Sequence, residues 1–497
     1  MPPATDAQDR LRSACEELTR EPAGDGLAWE SSEIVIAGPG PREYCHVVAR
    51  FSDSRLRFQL WMPTRGWNQR MAFIGGGGFD GVLMDDKFEF ILSPSVLEDG
   101  YAMVSTNGGY DKPDSINPLT YFEAEFTSDP TALADFMYLS EHRTLPFADR
   151  ILEDFYGQAP QFRYFEGCSM GGHDAMLLSQ RYPEDFDGIV ARAPAGNIMG
   201  LLLQFNRVGS HLQNHASELN EEQRALLAEA VLARCDSLDG IEDGIIARLE
   251  DCTPDVDELL CSVNERSGCL GPEHAELIYT ATSPLNVADH EFTHPGYPLD
   301  GVNLEAGWGA YIWPKMLGYS VQMLFAQGFV RAFVTADPEY DPWQWDPEEW
   351  LPELRAIDEV YNADSPDLSG FRQAGGKLIL WNGMLDASVS SRETGNYYDA
   401  IVDTIGQAAA EQTVELFLSP GVGHCKDGPG PDQVDLMAAL SAWVENGVPP
   451  SQQALVAHGV NDEGAVDREM PLCKYPAFPR YVSGDSSKAG SYVCSID

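Results

Sequence analysis

Five residues in the first half of the chain place a serine on a sharp turn between a strand and a helix. Gly167-Cys168-Ser169-Met170-Gly171 has the form G-x-S-x-G. It follows the strand-like run FRYFE and precedes HDAMLLSQRY, whose apolar spacing predicts a helix. Small residues are needed at both ends of the motif, because larger side chains would collide with the neighbouring strand or helix. The motif therefore favours a fold in which buried strands alternate with helices.

Other short apolar runs repeat this rhythm along the chain. Strands are predicted near Ile34, at 58–63, in MAFIGGGG at 71–78 and in AMVSTNGG at 102–109. After the serine, DGIVARAPA, LILWNG and TVELFLS predict further strands, and DQVDLMAALSAWVENG predicts an amphipathic helix. Strands alternating with helices predict the α/β class, with a doubly wound and mostly parallel sheet.

The alternation of predicted strands and helices stops in the third quarter of the chain. At 497 residues the chain is too long for one ordinary core, so a second unit is expected. Residues 195–366 are rich in acidic, aromatic and glycine residues and carry four of the ten cysteines. We predict an inserted lid domain at 195–366, between a first core segment at 1–194 and a second at 367–497.

The charge of the chain argues against several classes of partner. It has 78 acidic and 32 basic residues, for a formal net charge of -46. The negative electrostatic field of so acidic a chain repels phosphate backbones and anionic lipid surfaces, so nucleic-acid binding is not expected. The chain also lacks an apolar run of about 18 residues, so no membrane span is expected. The sequence predicts no particular oligomeric state.

The cysteines indicate the compartment. Ten cysteines form an even set without the close CxxC pairs of zinc sites, which favours disulfides in an oxidising compartment over reduced thiols. The first thirty residues lack the basic region and apolar region of a signal peptide. We therefore expect a secreted or periplasmic protein whose leader has been removed.

Two further residues complete a candidate catalytic triad. A serine hydroxyl needs a base, and the base needs a carboxylate that fixes its tautomer. Asp386 follows the predicted strand LILWNG, and His424 follows LFLSPGVG, so both lie past strand ends where active sites collect. The order Ser169, Asp386, His424 is that of an α/β-hydrolase core. We predict a serine esterase that needs no organic cofactor.

A run of four glycines at 75–78 offers backbone close to this site. It follows the predicted strand MAFI, and glycine backbone can approach a reacting carbonyl closely enough to donate a hydrogen bond to an oxyanion. A flexible surface turn explains the run equally well. The helix that follows Ser169 also presents backbone N–H groups where an oxyanion develops.

The segment CDSLDGIEDGIIARLEDC combines acidic residues with glycines between two cysteines. Hard cations prefer clusters of oxygen ligands such as Asp236, Asp239 and Asp243. The spacing does not match the twelve-residue EF-hand loop, and a solvated acidic loop is about as good an interpretation of the pattern.

Cysteines stand directly beside the predicted nucleophile and base, as Cys168-Ser169 and His424-Cys425. Together with GGGGFDG, GCSMGG, YPEDFDGIVARAPA, CDSLDGIEDG, LILWNGMLDA and PGVGHCKDGPG in this order, they make the chain resemble the tannase and feruloyl esterase family over nearly its whole length. The resemblance implies hydrolysis of small-molecule esters of planar aromatic acids, with feruloyl or other hydroxycinnamoyl, galloyl or terephthaloyl groups, through an acyl-enzyme.

The resemblance also implies roles for individual residues. It assigns the triad to Ser169, Asp386 and His424, and the oxyanion N–H donors to Gly75 and Met170. It implies a structural Ca²⁺ held by the acidic segment, with ligands from Asp236, Asp239, Ile241, Asp243 and Ile245. It implies five disulfides, which pair Cys168 with Cys425, Cys15 with Cys45, Cys235 with Cys252, Cys261 with Cys269, and Cys473 with Cys494.

The lid stretch GFVRAFVTADPEYDPWQWD resembles the lid of the family and offers candidate substrate contacts at Arg331, Phe333, Trp343 and Trp345. For any single aromatic residue, packing between lid and core is the favoured alternative. Two other functions stay open: a non-catalytic binding protein on a hydrolase fold, and an esterase, lipase or peptidase of different acyl preference.

Overall fold

The computed structural model describes residues 4–20, 24, 26–38, 40, 42–89, 91–112, 122–215, 217–262, 267–315, 317–461 and 463–497. The strands, in chain order, are β1 (Leu27–Ala37), β2 (Arg42–Phe51), β3 (Arg57–Pro63), β4 (Arg70–Ile74), β5 (Ala102–Thr106), β6 (Phe162–Cys168), β7 (Gly188–Arg192), β8 (Leu285–Val287), β9 (Phe292–His294), β10 (Lys377–Gly383), β11 (Val414–Ser419), β12 (Val456–Val460), β13 (Val466–Pro471), β14 (Phe478–Tyr481) and β15 (Tyr492–Ser495).

The α-helices, in chain order, are α1 (Ala4–Leu18), α2 (Pro94–Glu98), α3 (Pro130–Ala134), α4 (Ser140–Tyr156), α5 (Met170–Arg181), α6 (Ile198–Asn214), α7 (Glu221–Cys235), α8 (Pro272–Thr282), α9 (Val321–Gly328), α10 (Leu351–Tyr361), α11 (Ser369–Ala374), α12 (Ser391–Ile405), α13 (Gln407–Thr413) and α14 (Leu436–Asn446). Short 3-10 or π-helical turns lie at Glu125–Ser128, Asp135–Leu139, Asp236–Asp239, Leu249–Asp251, Val256–Leu259, Glu305–Gly309, Phe329–Val334, Pro342–Gln344, Pro347–Trp350, Pro450–Gln452 and Ala489–Ser491. Among the described residues, no helix has both the length and the apolar character that crossing a membrane requires.

Nine strands form one sheet, in the order β1-β2-β3-β5-β4-β6-β7-β10-β11. The pairs β1-β2, β2-β3 and β3-β5 are antiparallel. All the remaining pairs, from β5-β4 to β10-β11, are parallel. The predicted α/β class with a mostly parallel sheet is confirmed. Because β5 and β6 lie on opposite sides of β4, the order reverses there, and the carboxyl ends of β4 and β6 border a crevice at this switch point.

The parallel strands are buried on both faces of the sheet. Phe73 and Leu380 belong to the apolar core on one face, while their neighbours Ile74 and Trp381 belong to the core on the other. Helix α4 packs on the first face and helix α14 on the second. This arrangement explains why the central strands read as continuous apolar runs instead of alternating with polar residues.

A long insertion separates two strands that are neighbours in space. Strands β7 and β10 pair directly, yet residues 193–376 lie between them along the chain. No described residue in that interval joins the nine-stranded sheet. Its own apolar cluster surrounds Trp308 and Trp313 and reaches Phe79 and Met170 of the core. The boundaries of the lid domain at 195 and 366 stay a prediction.

Helix α14 is shorter than the amphipathic pattern predicts. The pattern begins at Asp432, but the helix begins at Leu436, because Asp435 acts as its N-cap. The Asp435 carboxylate accepts a hydrogen bond from the N–H of Ala438 at 2.9 Å, which favours a helix start at this point.

Five disulfides crosslink the chain, and no described cysteine is free. Their pairing agrees with that implied by the family resemblance: Cys15 with Cys45, Cys168 with Cys425, Cys235 with Cys252, Cys261 with Cys269, and Cys473 with Cys494. The bond between Cys168 and Cys425 joins the end of β6 to the segment after β11 across 257 positions of sequence.

The two disulfides of most different loop length should differ in their contribution to stability. Removal of the 257-residue crosslink in Cys168→Ala/Cys425→Ala should lower the free energy of unfolding by about 5.5 kcal/mol. Removal of the crosslink across 8 positions in Cys261→Ala/Cys269→Ala should lower it by about 2.5 kcal/mol, since a short loop restricts the unfolded chain less. Urea unfolding measures both values, and equal losses would contradict this entropic account.

Candidate active site

Ser169 lies on a strained turn at the carboxyl end of β6. Its backbone has φ 64° and ψ −115°, a conformation that non-glycine residues rarely adopt, and helix α5 begins at the next residue. A Cβ atom on Gly167 would lie 2.3 Å from the carbonyl oxygen of Gly171. A Cβ on Gly171 would in turn lie 2.8 Å from the carbonyl oxygen of Gly76. The glycines of the motif are therefore required by backbone packing.

Asp386 and His424 form a buried pair at the ends of β10 and β11. The Nδ1 atom of His424 lies 2.7 Å from Oδ2 of Asp386, and the two side chains are 7% and 0% exposed. The N–H groups of Ser388 and Val389 donate to Oδ1 of the same carboxylate, at 2.7 and 2.9 Å. Because a carboxylate can only accept, Nδ1 carries the imidazole proton and Nε2 is left as an acceptor.

The disulfide beside these residues brings the serine and the histidine segments together. The Cα atoms of Cys168 and Cys425 are 6.0 Å apart, and each cysteine is the sequence neighbour of one of the two residues. The half-buried hydroxyl of Ser169 makes no hydrogen bond to any described side chain. Catalytic hydrogen bonds are often loose before substrate binds, so this arrangement is compatible with a base that acts on the serine.

The backbone near Ser169 corrects one of the two predicted oxyanion donors. Met170 is the first residue of helix α5, so its N–H has no acceptor within the helix. The N–H of Gly75 instead donates to the carbonyl oxygen of Glu166 at 2.9 Å, as part of the pairing of β4 with β6. The prediction for Gly75 is therefore wrong, because this N–H is already engaged. The N–H of Gly77 donates to the carboxylate of Asp80. Among the described residues, no hydrogen bond occupies the N–H groups of Gly76 and Gly78.

The four lid residues proposed as substrate contacts lie in different surroundings. Trp345 is 6% exposed and packs against Phe329. Trp343 lies over the glycine at 209 of helix α6. The Nε of Arg331 donates to the carbonyl oxygen of Tyr340 at 2.9 Å, and its side chain lines a surface cavity of about 680 Å³. These three residues take part in lid packing or face that cavity, which none of the three triad residues lines.

Phe333 packs against the residue that follows the glycine run. Its ring centroid is 5.6 Å from that of Phe79, which directly follows the run, and Phe325 approaches Phe79 from the lid at 5.0 Å. Phe333 also stacks on Tyr361 at 6.0 Å, and the hydroxyl of Tyr361 contacts the sulfur of Met170 at 3.4 Å. Phe79 and Phe325 were not predicted; the position of Phe79 directly after GGGG was the available signal for it.

Tyr311 of the lid was also missed by the sequence analysis. Its ring stands edge-on to the imidazole of His424, with centroids 5.1 Å apart. Burial, and secondarily the charge of Asp386, raises the pKa of Tyr311 above its ordinary value, so the phenol stays protonated. No motif surrounds Tyr311, so only the three-dimensional arrangement reveals it.

The acidic segment forms a tight loop that the Cys235–Cys252 disulfide closes. The carboxylate of Asp236 accepts from the N–H of Asp243 at 3.3 Å, and that of Asp239 accepts from the N–H of Ile241 at 3.3 Å. Burial, with smaller contributions from the neighbouring carboxylates of Asp243 and Asp236, raises the pKa of Asp239 to about 6, although hydrogen bonds from the N–H groups of Ala247 and Ile241 oppose this shift. No group of three or more His, Cys, Asp or Glu side chains in the described part of the chain is arranged to hold a metal ion.

Comparison with known proteins places this site in a family. The family model for tannase and feruloyl esterase matches residues 43–495. Mono(2-hydroxyethyl) terephthalate hydrolase of Piscinibacter sakaiensis is 30% identical, over 97% of this chain and 92% of the relative. Feruloyl esterase B of Aspergillus niger is 25% identical, over 91% of this chain and 87% of the relative.

Solved structures agree with this assignment. Feruloyl esterase B from Aspergillus oryzae superposes with a TM-score of 0.84 at 25% identity, covering 98% of this chain and 100% of that one. Tannin acyl hydrolase from Aspergillus niger has the same fold, with a TM-score of 0.75 at 20% identity over 99% of this chain and 95% of that one. The sheet order, the serine turn and these matches agree: the chain belongs to the tannase and feruloyl esterase family.

Proposed function

We propose that this protein is a carboxylic-ester hydrolase that cleaves esters of planar aromatic acids through an acyl-enzyme on Ser169. The observation that carries the proposal is the buried pair of His424 and Asp386, 2.7 Å apart, beside a disulfide that joins the segment of His424 to the serine turn. A binding protein without catalysis would have no need of an oriented imidazole with a free acceptor nitrogen at this place.

The acylation step uses the groups of this pair in sequence. The Nε2 atom of His424 accepts the proton of the Ser169 hydroxyl as its oxygen attacks the ester carbonyl. Asp386 keeps Nδ1 protonated and stabilises the imidazolium that forms. The imidazolium then returns the proton to the departing alcohol. Water, activated by the same imidazole, releases the acid in the second step.

The negative oxygen of each tetrahedral intermediate requires backbone donors. Met170 supplies one N–H from the first turn of helix α5, where the helix dipole also favours negative charge. The second donor comes from Gly76 or Gly78, whose N–H groups have no described partner, in place of the engaged N–H groups of Gly75 and Gly77. The tight packing of this run against Gly171 holds it beside the serine turn.

The acyl specificity is proposed from the relatives and from the aromatic surroundings of the glycine run. Relatives are named for feruloyl esters, tannin and mono(2-hydroxyethyl) terephthalate, which share a planar aromatic acid. Phe79, Phe325 and Phe333 form an apolar group next to the run, and aromatic rings bind planar aromatic groups through stacked or edge-to-face contacts.

Two further properties belong to the proposal. Five disulfides favour an extracellular or periplasmic place of work, since cytosolic thiols are kept reduced. The acidic loop is proposed to hold a structural calcium ion through the carboxylates of Asp236, Asp239 and Asp243 and the carbonyl oxygens of Ile241 and Ile245. The donors are hard oxygens, and the mutual repulsion of the carboxylates is what a cation would relieve.

Ser169→Ala should fold normally and lose nearly all esterase activity, because the acyl acceptor is removed while the turn keeps its shape. A fluorophosphonate probe should label the parent at Ser169, identified by peptide mass, and should not label the variant. Full activity in the alanine variant would rule out this serine.

Turnover of methyl ferulate, methyl gallate, chlorogenate and a terephthalate monoester should in each case exceed that of an aliphatic ester with the same leaving alcohol.

Phe333→Leu should lower kcat/KM for methyl ferulate about two- to tenfold, since one aromatic contact of about 0.5–1.5 kcal/mol is lost. The kcat/KM for p-nitrophenyl acetate, which has no aromatic acyl group, should stay unchanged. Trp345→Phe is the matched control, because Trp345 is buried against Phe329 in the lid. An equal change for both substrates would argue that Phe333 only packs the lid.

Calcium should stabilise the protein, and its effect should depend on pH. In the metal-free protein the pKa of Asp239 is about 6 against 3.8 for the ordinary group, so its contribution to stability is present below about pH 4 and is lost as pH rises through 6. Added calcium should therefore raise the unfolding temperature more at pH 7 than at pH 5. Asp239→Asn should abolish the increment. An identical melting curve in calcium and in chelator at pH 7 would reject the site.

A further inference from the structure

A second pair of charged residues lies behind the serine turn, and the proposed mechanism does not use it. Arg192 and Glu166 are 1% and 0% exposed, and the Nε of Arg192 donates to Oε1 of Glu166 at 2.8 Å. Withdrawing two charges from water is costly, and their attraction offsets that cost only when further hydrogen bonds complete the arrangement. The partners of this pair therefore indicate what it does.

These partners come from distant parts of the chain. The hydroxyl of Ser93 donates to Glu166 at 2.8 Å and accepts from Arg192 at 3.1 Å. The same hydroxyl accepts from the N–H of Met437 in helix α14 at 3.0 Å. Arg192 also donates to the carbonyl oxygen of Val434 at 2.9 Å. Val434 and Met437 lie in the segment that follows His424. The Arg192–Glu166 pair and Ser93 are therefore hydrogen-bonded to the part of the chain that follows the proposed base.

The backbone of the same two residues holds the other catalytic segments. The carbonyl oxygen of Glu166 accepts from Gly75 at 2.9 Å, at the start of the glycine run. The carbonyl oxygen of Arg192 accepts from the N–H of Ser169 at 3.1 Å. The guanidinium of Arg192 also lies over the ring of Trp381, 5.4 Å from its centroid, on the strand that leads to the proposed acid.

We infer that Glu166 and Arg192 are positioning residues, which set the serine turn, the glycine run and the histidine segment in register. They act in parallel with the Cys168–Cys425 disulfide and do not touch the substrate. Apolar side chains of similar volume would fill the same space, but they could not hold Ser93 or the carbonyl oxygen of Val434. The inference rests on the proposed role of Ser169 as nucleophile.

The test replaces both charges together. In Glu166→Met/Arg192→Met no buried charge is left unpaired, and such replacements of buried ion pairs are usually tolerated by the fold. We expect cooperative thermal unfolding, a kcat for p-nitrophenyl acetate lowered roughly 10- to 100-fold, and a KM changed less than about twofold, since misplacement of the reacting groups slows chemistry more than binding. The rate of inactivation by a fluorophosphonate should fall by the same factor.

A matched control lies at the other end of the same strand. Arg163 is the second residue of β6 and pairs with Asp149 at 2.7 Å, at the end of the strand opposite to the serine. Arg163→Met/Asp149→Asn should leave kcat unchanged. Ser93→Ala, which removes only the bridging hydroxyl, should lower kcat in the same direction by a smaller factor, and it provides the test if the double methionine variant does not fold.

Different results would contradict the proposed function and the positioning role of Glu166 and Arg192. A parent enzyme without label at Ser169 contradicts the proposed function. A parent labelled at Ser169, together with a folded methionine variant or Ser93→Ala variant that reacts as fast as the parent, overturns the positioning role and leaves the proposed function intact.

Discussion

The geometry of the candidate active site depends on backbone packing between two glycine segments. The turn that carries Ser169 and the run that begins at Gly75 approach until Cα atoms and carbonyl groups touch, and any side chain at Gly171 would force them apart. That contact can form only where two parallel strands end side by side, as β4 and β6 do at the switch point of the sheet. The strained conformation of Ser169 is tolerated because the surrounding backbone over-determines it.

Much of this arrangement could be predicted from the sequence, because it depends on local patterns. The serine turn, the strands on either side of it and the order of the triad residues are carried by short runs with clear periodicity. The helix start at Leu436 was missed by a few residues because one capping aspartate outweighs apolar periodicity. The roles of the triad and of the calcium ligands remain predictions, which the described geometry makes specific enough to test.

What the sequence could not provide are contacts between segments far apart in the chain. The engagement of Gly75 by Glu166 depends on which strand lies beside β4, and GGGG alone does not say which of its N–H groups are free. Tyr311 and Phe325 lie in a lid without periodicity, so nothing in their neighbourhood distinguishes them from packing residues. Glu166 and Arg192 lie within apolar strands, and the sequence does not show that these two charged side chains form an ion pair.

The insertion between β7 and β10 has a consequence for the order in which the enzyme is made. The serine turn leaves the ribosome long before the aspartate and the histidine, because the whole lid is translated in between. Pairing of β7 with β10, and the crosslink between positions 257 residues apart, must wait for that segment. Contacts of such large sequence separation form late in folding. A nascent chain therefore carries the proposed nucleophile without the proposed base until the second core segment has been translated.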